Sequence, residues 1–371
     1  MPKEKQPILN RANISPNLIT KSIKPYRSIK FMKKKVMIAL ALLSLPLIII
    51  SCKKEEKTTT PATTNVSSDA VKATKPVDEI DYKNFNIFDV TTISSGQNNE
   101  LADVFISVSD INNNPNVISS DFLKKQKQMF FEQLKYLELD AEHRNKLLSG
   151  IHLTENDSLY LFNYELNKLQ KTPISKLKAV AYLDVYASEG EDIDAGSYMV
   201  GFQIESKKKI ADYDQFHNAI AYFGNKNPFV ENKMKPIKWE KSGPDISKKY
   251  FAGSKLTYGQ TFQSKYENLT YYLQELLEDE MVLERRLIVI NDHHQKIFET
   301  TYTTAGSDGA EFYPLNGDNK DNPNNFQWTG YLFKGKPPVT FGFIAPSFGC
   351  PSILFLDKKE KPLKINCDNR H

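Results

Sequence analysis

The chain lacks the short motifs that define several large enzyme classes. It contains no HExxH metalloprotease motif, no CxxC pair, no GxSxG nucleophile turn and no glycine-rich phosphate loop. Cysteine is scarce as well, with three residues in 371. These absences argue against the zinc, dithiol, serine-hydrolase and nucleotide-binding classes that such motifs define. They leave open binding proteins and hydrolases that use carboxylates.

Positive charge is concentrated in one part of the sequence. Residues 1–51 contain ten of the 49 Lys and Arg residues but only one of the 45 Asp and Glu residues. The other 320 residues therefore hold 39 basic and 44 acidic side chains, a net charge of −5. Nucleic-acid binding needs a basic surface, so this composition argues against a nucleic-acid partner.

No apolar run reaches the roughly twenty residues that a membrane-spanning helix needs. The run Val36–Ile50 has fifteen residues without a charge, and it follows Lys33-Lys34-Lys35. A positive flank before a core of this length is typical of a signal peptide. Met32 lies directly before the lysines, and we expect the precursor to start there rather than with an unusually long basic leader.

The apolar run ends in Ile49-Ile50-Ser51-Cys52. This segment resembles the lipobox of bacterial lipoproteins, in which aliphatic residues and a small residue precede a cysteine. The resemblance implies cleavage after Ser51, diacylglycerol on the Cys52 thiol and a further acyl chain on the new amino group. Two or three acyl chains hold a protein on a membrane durably, whereas one does so marginally. The alternative is an uncleaved anchor with a chance cysteine.

The four residues after the cysteine are charged: Lys53, Lys54, Glu55 and Glu56. They are similar to the surface-export signal of some Gram-negative lipoproteins, in which a lysine is followed by acids. No Asp follows Cys52, so the usual inner-membrane retention signal of that family is missing. The resemblance implies an outer-membrane location, with the external face favoured over the periplasmic one. The alternative is the charged start of a solvated tether.

Residues 52–81 combine the lipidated cysteine with a tether. Thr, Ser, Ala, Lys and Pro dominate this segment, which has too little apolar surface to offset the entropy of ordering. We expect a flexible connection with a reach of roughly 30 Å. Residues 82–371 are expected to fold, either as one globular region or as two subdomains, 82–225 and 226–371.

Apolar spacing predicts three helices in this region. They are expected over Ser120–Leu148, Tyr213–Phe223 and Tyr266–Leu283. In the first, Ser119 or Ser120 can cap the start, Gly150 can end the helix, and Asp140 can divide it in two.

Alternation of apolar and polar residues predicts strands elsewhere. Two hairpins are expected, Leu177–Val185 with Tyr198–Ile204 and Leu287–Ile290 with Lys296–Thr304. Further strands are predicted at Phe326–Phe333, Val339–Ala345, Ile353–Leu356 and Pro362–Ile365. Runs of strands with helices set apart from them predict an α+β fold with antiparallel sheets.

Two cysteines remain once Cys52 is assigned to lipid. Cys350 and Cys367 are equally distant from the expected turn of the Ile353–Leu356/Pro362–Ile365 hairpin, so they face each other in that register. Directly opposed Cβ atoms approach as closely as ~4.5 Å, near the separation that a disulfide needs. We therefore predict a Cys350–Cys367 disulfide in an oxidising compartment. Two buried free thiols are the alternative.

Two loops carry enough oxygen ligands to be weak calcium candidates. One contains Glu189, Glu191, Asp192 and Asp194, followed by Gly196; the other contains Asn316, Asp318, Asp321 and Asn322. Neither loop has the full twelve-residue calcium pattern with its terminal Glu, so solvated turns are favoured. The sequence indicates no other metal and no cofactor.

The sequence leaves two functional hypotheses. The first is a binding or accessory lipoprotein on the outer membrane, held there by the acyl chains on Cys52, whose aromatic or loop-rich surface contacts a glycan, peptide or membrane-protein partner. The second is a lipid-anchored hydrolase with acids such as Asp184, Asp192 or Asp194 in its site. A deep cleft with converging acids would favour the hydrolase.

Overall fold

Strands dominate the folded part of the chain. The computed structural model describes residues 80–95, 101–209, 216, 218–306, 310–317, 324–346 and 349–369. Of these residues, 43% lie in strands and 16% in helices. The predicted α+β class is therefore wrong, because the fold is mostly β.

The elements within the described ranges are short helices and many strands. The helices are α1 (Ser120–Lys125), α2 (Phe131–Leu134), α3 (Ala141–Gly150) and α4 (Pro244–Tyr250), with 3₁₀ turns at Ser109–Ile111, Pro115–Val117, Gln126–Gln128, Ile174–Lys176 and Ala195–Ser197. The strands are β1 (Ile87–Phe88), β2 (Thr91–Ser95), β3 (Leu101–Ser107), β4 (Tyr136–Glu138), β5 (Ser158–Asn163), β6 (Lys168–Pro173), β7 (Lys178–Leu183), β8 (Tyr198–Lys209), β9 (Ala219–Gly224), β10 (Met234–Pro236), β11 (Glu240–Lys241), β12 (Thr257–Tyr266), β13 (Leu269–Glu278), β14 (Met281–Ile290), β15 (Lys296–Thr303), β16 (Glu311–Phe312), β17 (Trp328–Gly330), β18 (Val339–Phe341), β19 (Ile344–Ala345), β20 (Ser352–Phe355) and β21 (Leu363–Asn366).

These strands form three large sheets and one small one. A nine-stranded curled sheet has the order β10-β17-β18-β20-β21-β1-β9-β5-β6. Two five-stranded sheets have the orders β11-β12-β13-β14-β15 and β2-β3-β8-β7-β4, and β16 pairs with β19. All described residues belong to one compact unit, Ala73–His371.

The nine-stranded sheet joins distant parts of the sequence. Within it, β1 pairs in parallel with β21, placing Ile87 opposite Ile365, and pairs antiparallel with β9 on its other side. Strands from before and after residue 225 therefore share one sheet. The division into subdomains 82–225 and 226–371 stays a prediction.

The helix predicted over Tyr266–Leu283 does not form. Its residues belong instead to β12, β13 and the start of β14, joined by two-residue turns at Glu267–Asn268 and Asp279–Glu280. The buried residues Leu269, Tyr271 and Leu273 follow a period of two. A register shift after Leu276 breaks that period, which gave the leucines a helical spacing. The turns contain no glycine, although Glu267, Asp279 and Glu280 have positive φ.

The other two predicted helices are also corrected. Within Tyr213–Phe223, the segment from Ala219 onward belongs to β9, an interior strand of the nine-stranded sheet, while residues 213–215 and 217 lie outside the described ranges. The Ser120–Leu148 prediction corresponds to α1, α2, strand β4 and α3. The cap predicted at Ser119 is confirmed, because its hydroxyl accepts the Phe122 N–H. The division predicted at Asp140 falls at the start of α3, where Asp140 accepts the His143 N–H.

The predicted strands agree better with the structure than the predicted helices do. β7 pairs with β8 and β14 pairs with β15, as the alternation predicts. The strand predicted over Val339–Ala345 is divided into β18 and β19, because Gly342 lies between them with φ of +83°. Among the described residues, no helix has the length and apolar character needed to cross a membrane.

Candidate functional site

A cavity of about 510 Å³ lies where the nine-stranded sheet meets β15 and the β16/β19 pair. We call it the aromatic cavity, because aromatic side chains form much of its wall. These are Tyr164, Phe216, Tyr302, Tyr313, Phe326, Phe341 and Phe343. The volume falls within the range of about 300–1,000 Å³ that is usual for small-molecule sites.

Asp89 is the one charged side chain among the described residues that line the aromatic cavity. It follows β1 directly, and its N–H donates to the Asn366 carbonyl oxygen at 2.9 Å. The residue is exposed to solvent, although many protein atoms lie around its carboxyl group. This partial burial raises the pKa of the Asp89 carboxyl, and a hydrogen bond from the Val90 N–H opposes the shift in part.

Three tyrosines share the cavity with Asp89. Burial and the Asp89 charge raise the pKa of Tyr164 and of Tyr313, and burial raises that of Tyr302. The Tyr164 hydroxyl donates to Asn218 Oδ1 at 3.3 Å. The buried Tyr302 hydroxyl has no hydrogen-bond partner within the described ranges. Leaving such a group unpaired costs about 1–3 kcal/mol. Because the oxygen has almost no accessible surface, it is not open to a ligand in the cavity.

Ring contacts hold these side chains in place. Tyr302 stacks on Phe343 with centroids 4.7 Å apart, and Tyr313 stacks on Phe326 at 4.8 Å. Tyr164 meets Phe341 edge to face at 5.3 Å. Because the rings are already ordered, a ligand loses little binding free energy to fixing them.

The backbone beside the cavity is equally constrained. A Cβ atom at Gly342 would lie 1.9 Å from the Phe326 carbonyl oxygen, so only glycine permits this close approach. The buried Gln327 amide donates to the Gly342 carbonyl oxygen at 3.0 Å, and the Phe326 N–H donates to Asn316 Oδ1 at 2.7 Å. These bonds hold two neighbouring parts of the wall together.

Arg285 stabilises the cavity wall at Tyr313. Its guanidinium donates to the Tyr313 carbonyl oxygen at 2.7 Å and to Glu275 Oε1 at 3.0 Å, and it lies 4.8 Å from the centre of the Phe312 ring. Arg285 does not line the cavity. It positions the Tyr313 backbone through a charged group that is itself buried.

A larger groove of about 1,020 Å³ lies along β4, β7 and β8. Its buried carboxylate, Asp103, accepts the Tyr182 hydroxyl at 2.8 Å and the Lys207 N–H at 2.7 Å. Lys178, on the same groove, pairs with Glu138 at 2.8 Å. These charged groups of the groove are therefore already paired with one another or hydrogen-bonded. In the aromatic cavity, by contrast, Asp89 has no cationic partner among the described residues, and the Tyr302 hydroxyl has no hydrogen-bond partner among them. The aromatic cavity is therefore the stronger candidate.

The acids that the hydrolase hypothesis uses do not meet in the aromatic cavity. Asp184 lies in the groove beside β7, and its carboxylate accepts the Tyr186 N–H at 2.9 Å. Asp192 and Asp194 lie in a separate shallow depression, where Asp192 pairs with Lys127 at 3.6 Å. Asp194 accepts the Ser197 N–H at the start of a 3₁₀ turn. The structure thus gives Asp184 and Asp194 local roles in turns.

The calcium candidates fall partly within the described ranges. Glu191 accepts the Ser188 N–H at 3.0 Å, so its carboxylate also serves the loop backbone. Asn316 is buried and bonded to the backbone, while Asp318 and Asp321 lie outside the described residues. In the part of the chain that the structure describes, no group of three or more His, Cys, Asp or Glu side chains is placed to hold a metal ion.

The cysteine pair adjoins the aromatic cavity. Cys350 and Cys367 form a disulfide with Cα atoms 5.6 Å apart, and Cys350 lines the cavity. The pairing of Ser352 with Lys364 shifts the hairpin register by one residue from the predicted one. Because both cysteines lie just outside the paired strands, the bridge forms without being directly opposed in the ladder. Ser51, Cys52 and the segment Lys53–Glu56 lie outside the described residues.

Sequence reasoning missed the residues that make the cavity. Asp89, Tyr164, Tyr302 and Tyr313 are far apart in the chain, and none belongs to a recognisable motif. The aromatic content of 11% was a general signal, but it does not distinguish Phe326 at the cavity from Trp328 in the core.

We expect Asp89→Asn to raise the melting temperature of the ligand-free protein at pH 7. Because the folded-state pKa of Asp89 is raised, the folded protein binds this proton more tightly than the unfolded chain, and stability falls as pH rises from 3.8 through that pKa. The amide removes this penalty, so its stabilising effect grows as pH rises above 3.8 and vanishes below pH 3.8. Thermal unfolding across this pH range measures the effect.

Asp292→Asn is the matched control, because Asp292 is an exposed carboxylate next to β14 and its loss changes the net charge equally. It should leave the melting temperature unchanged. A lower melting temperature for Asp89→Asn at pH 7 would show that the ionised Asp89 carboxylate does not destabilise the folded protein.

Comparison with known proteins yields no match: no family model fits the chain, and no curated protein or solved structure is detectably similar to it.

Proposed function

We propose that this chain is a lipid-anchored binding protein of the outer membrane, displayed on the cell surface, whose aromatic cavity holds a small ligand. The lipobox-like segment ending at Cys52 and the charges at Lys53–Glu56 support the location. The polar, proline-containing composition of residues 52–81 supports a tether between the lipid and the folded unit.

The aromatic cavity is the observation that carries the binding function. It combines rigid rings and an accessible carboxylate in one concave site. Such a predominantly apolar pocket with a few placed polar groups is the usual form of a small-molecule site. Hydrolysis by a carboxylate pair needs two acids about 5–10 Å apart, and Asp89 is the single acid among the described lining residues. We therefore favour binding over hydrolysis.

The test uses the neutral fluorophore N-phenyl-1-naphthylamine, which becomes bright in apolar sites. We expect its fluorescence to rise with the wild-type protein and to stay near the free-dye level with Ser352→Trp. Ser352 is exposed and lines the cavity, so a large side chain there blocks the site without entering the core.

Ser352→Ala is the matched control and should bind the dye as the wild type does. Far-ultraviolet circular dichroism establishes that each variant is folded. Equal fluorescence with wild type and folded Ser352→Trp would show that the dye binds elsewhere and that the aromatic cavity is not the site.

A further inference from the structure

We propose that the aromatic cavity recognises an organic cation, an amine or quaternary ammonium group held between the Asp89 carboxylate and the surrounding tyrosine rings. This inference rests on the proposed binding function and names the chemical class of its ligand.

Charge is the first argument. Asp89 is the single charged side chain among the described residues of the cavity wall, and no Lys, Arg or His lies beside it there. Within the described ranges, the pKa of Asp89 is shifted by burial and by the Val90 N–H, and by no cation. A neutral ligand would leave this charge uncompensated, and an anion would be repelled by it.

The rings are the second argument. Tyr164, Tyr302 and Tyr313 line the same space, and their raised pKa values keep all three phenols neutral at physiological pH. The faces of such rings are negative and attract cations, by about 0.5–1 kcal/mol when exposed and about 2 when desolvated. A carboxylate and several rings together therefore favour a positive, partly apolar group.

The chain uses the same combination for its own cations. The Lys336 ammonium lies 2.9 Å from Glu360 Oε1 and 4.7 Å from the centre of the Tyr82 ring. The Arg285 guanidinium lies 3.0 Å from Glu275 Oε1 and 4.8 Å from the centre of the Phe312 ring. The aromatic cavity offers the same pairing of carboxylate and rings, but no cation of the described wall occupies it.

The test compares two probes of nearly the same shape by isothermal titration calorimetry. Choline carries a quaternary ammonium, and 3,3-dimethylbutan-1-ol replaces that nitrogen with carbon. We expect the wild type to bind choline at least about tenfold more tightly than the alcohol. Asp89→Asn should remove that difference, while Asp292→Asn should preserve it.

A fluorescence titration with N-phenyl-1-naphthylamine on Asp89→Asn reports whether the cavity is intact, since this neutral dye does not need the charge. The cation assignment is overturned if choline does not bind, if the alcohol binds as tightly as choline, or if Asp89→Asn keeps the wild-type affinity for choline. Each of these results is still compatible with the proposed binding of a small ligand in the aromatic cavity. If Ser352→Trp still binds the dye, the proposed binding function of the aromatic cavity is contradicted instead.

Discussion

The Cys52→Ser variant is expected to leave the membrane fraction and to lose acyl labelling. A serine hydroxyl cannot form the thioether to diacylglycerol that the lipobox resemblance implies. Each buried CH₂ of an acyl chain contributes about 0.8 kcal/mol to membrane binding, so the loss of all chains removes the dominant attachment. The fifteen-residue apolar run Val36–Ile50 is too short to replace it as a membrane span. Sedimentation of cell envelopes and metabolic labelling with radioactive palmitate measure the outcome.

Ser51→Ala is the matched control, because alanine keeps the small residue before the cysteine. This variant should be labelled with palmitate and sediment as the wild type does. If Cys52→Ser sediments in full with the envelope, the lipid anchor is wrong, and with it the proposed surface location.

Removing the Cys350–Cys367 disulfide is expected to destabilise the folded unit by about 3 kcal/mol. The bridge closes a loop with a sequence separation of 17, and the chain-entropy model gives this value for such a loop. The effect reaches the centre of the nine-stranded sheet, because β21 lies between Cys367 and the turn and pairs with β1. Urea unfolding of the double variant Cys350→Ala/Cys367→Ala measures the loss in stability.

A reductant separates the bridge from the side-chain changes. Dithiothreitol should lower the urea midpoint of the wild type toward that of the double variant and should leave the double variant unchanged. If the double variant unfolds at the wild-type urea concentration, the β20/β21 hairpin is held by its sheet contacts alone. Because Cys350 lines the aromatic cavity, the reduced protein should also bind N-phenyl-1-naphthylamine more weakly.

The helix predicted over Tyr266–Leu283 shows where local pattern fails. Leucines spaced by three and four residues satisfy a helix, yet they also fit β13 once a register shift follows Leu276. The choice depends on β12 and β14, which pair with β13 on both sides and satisfy its backbone groups. The apolar spacing within the segment does not specify this pairing with neighbouring strands.

Features that depend on neighbouring residues could be derived from the sequence alone. The helix cap at Ser119, the helix division at Asp140, the β7/β8 and β14/β15 hairpins, and the cysteine pair all follow from spacing within a few tens of residues. The lipobox-like segment is a linear signal of the same kind. The tertiary structure alone decided the mostly β architecture and the aromatic cavity, since the cavity unites Asp89 with side chains as far along as Ile365. Strand pairing across such separations is set by the whole set of sheets, so their register, and the site between them, emerges only when the chain is folded.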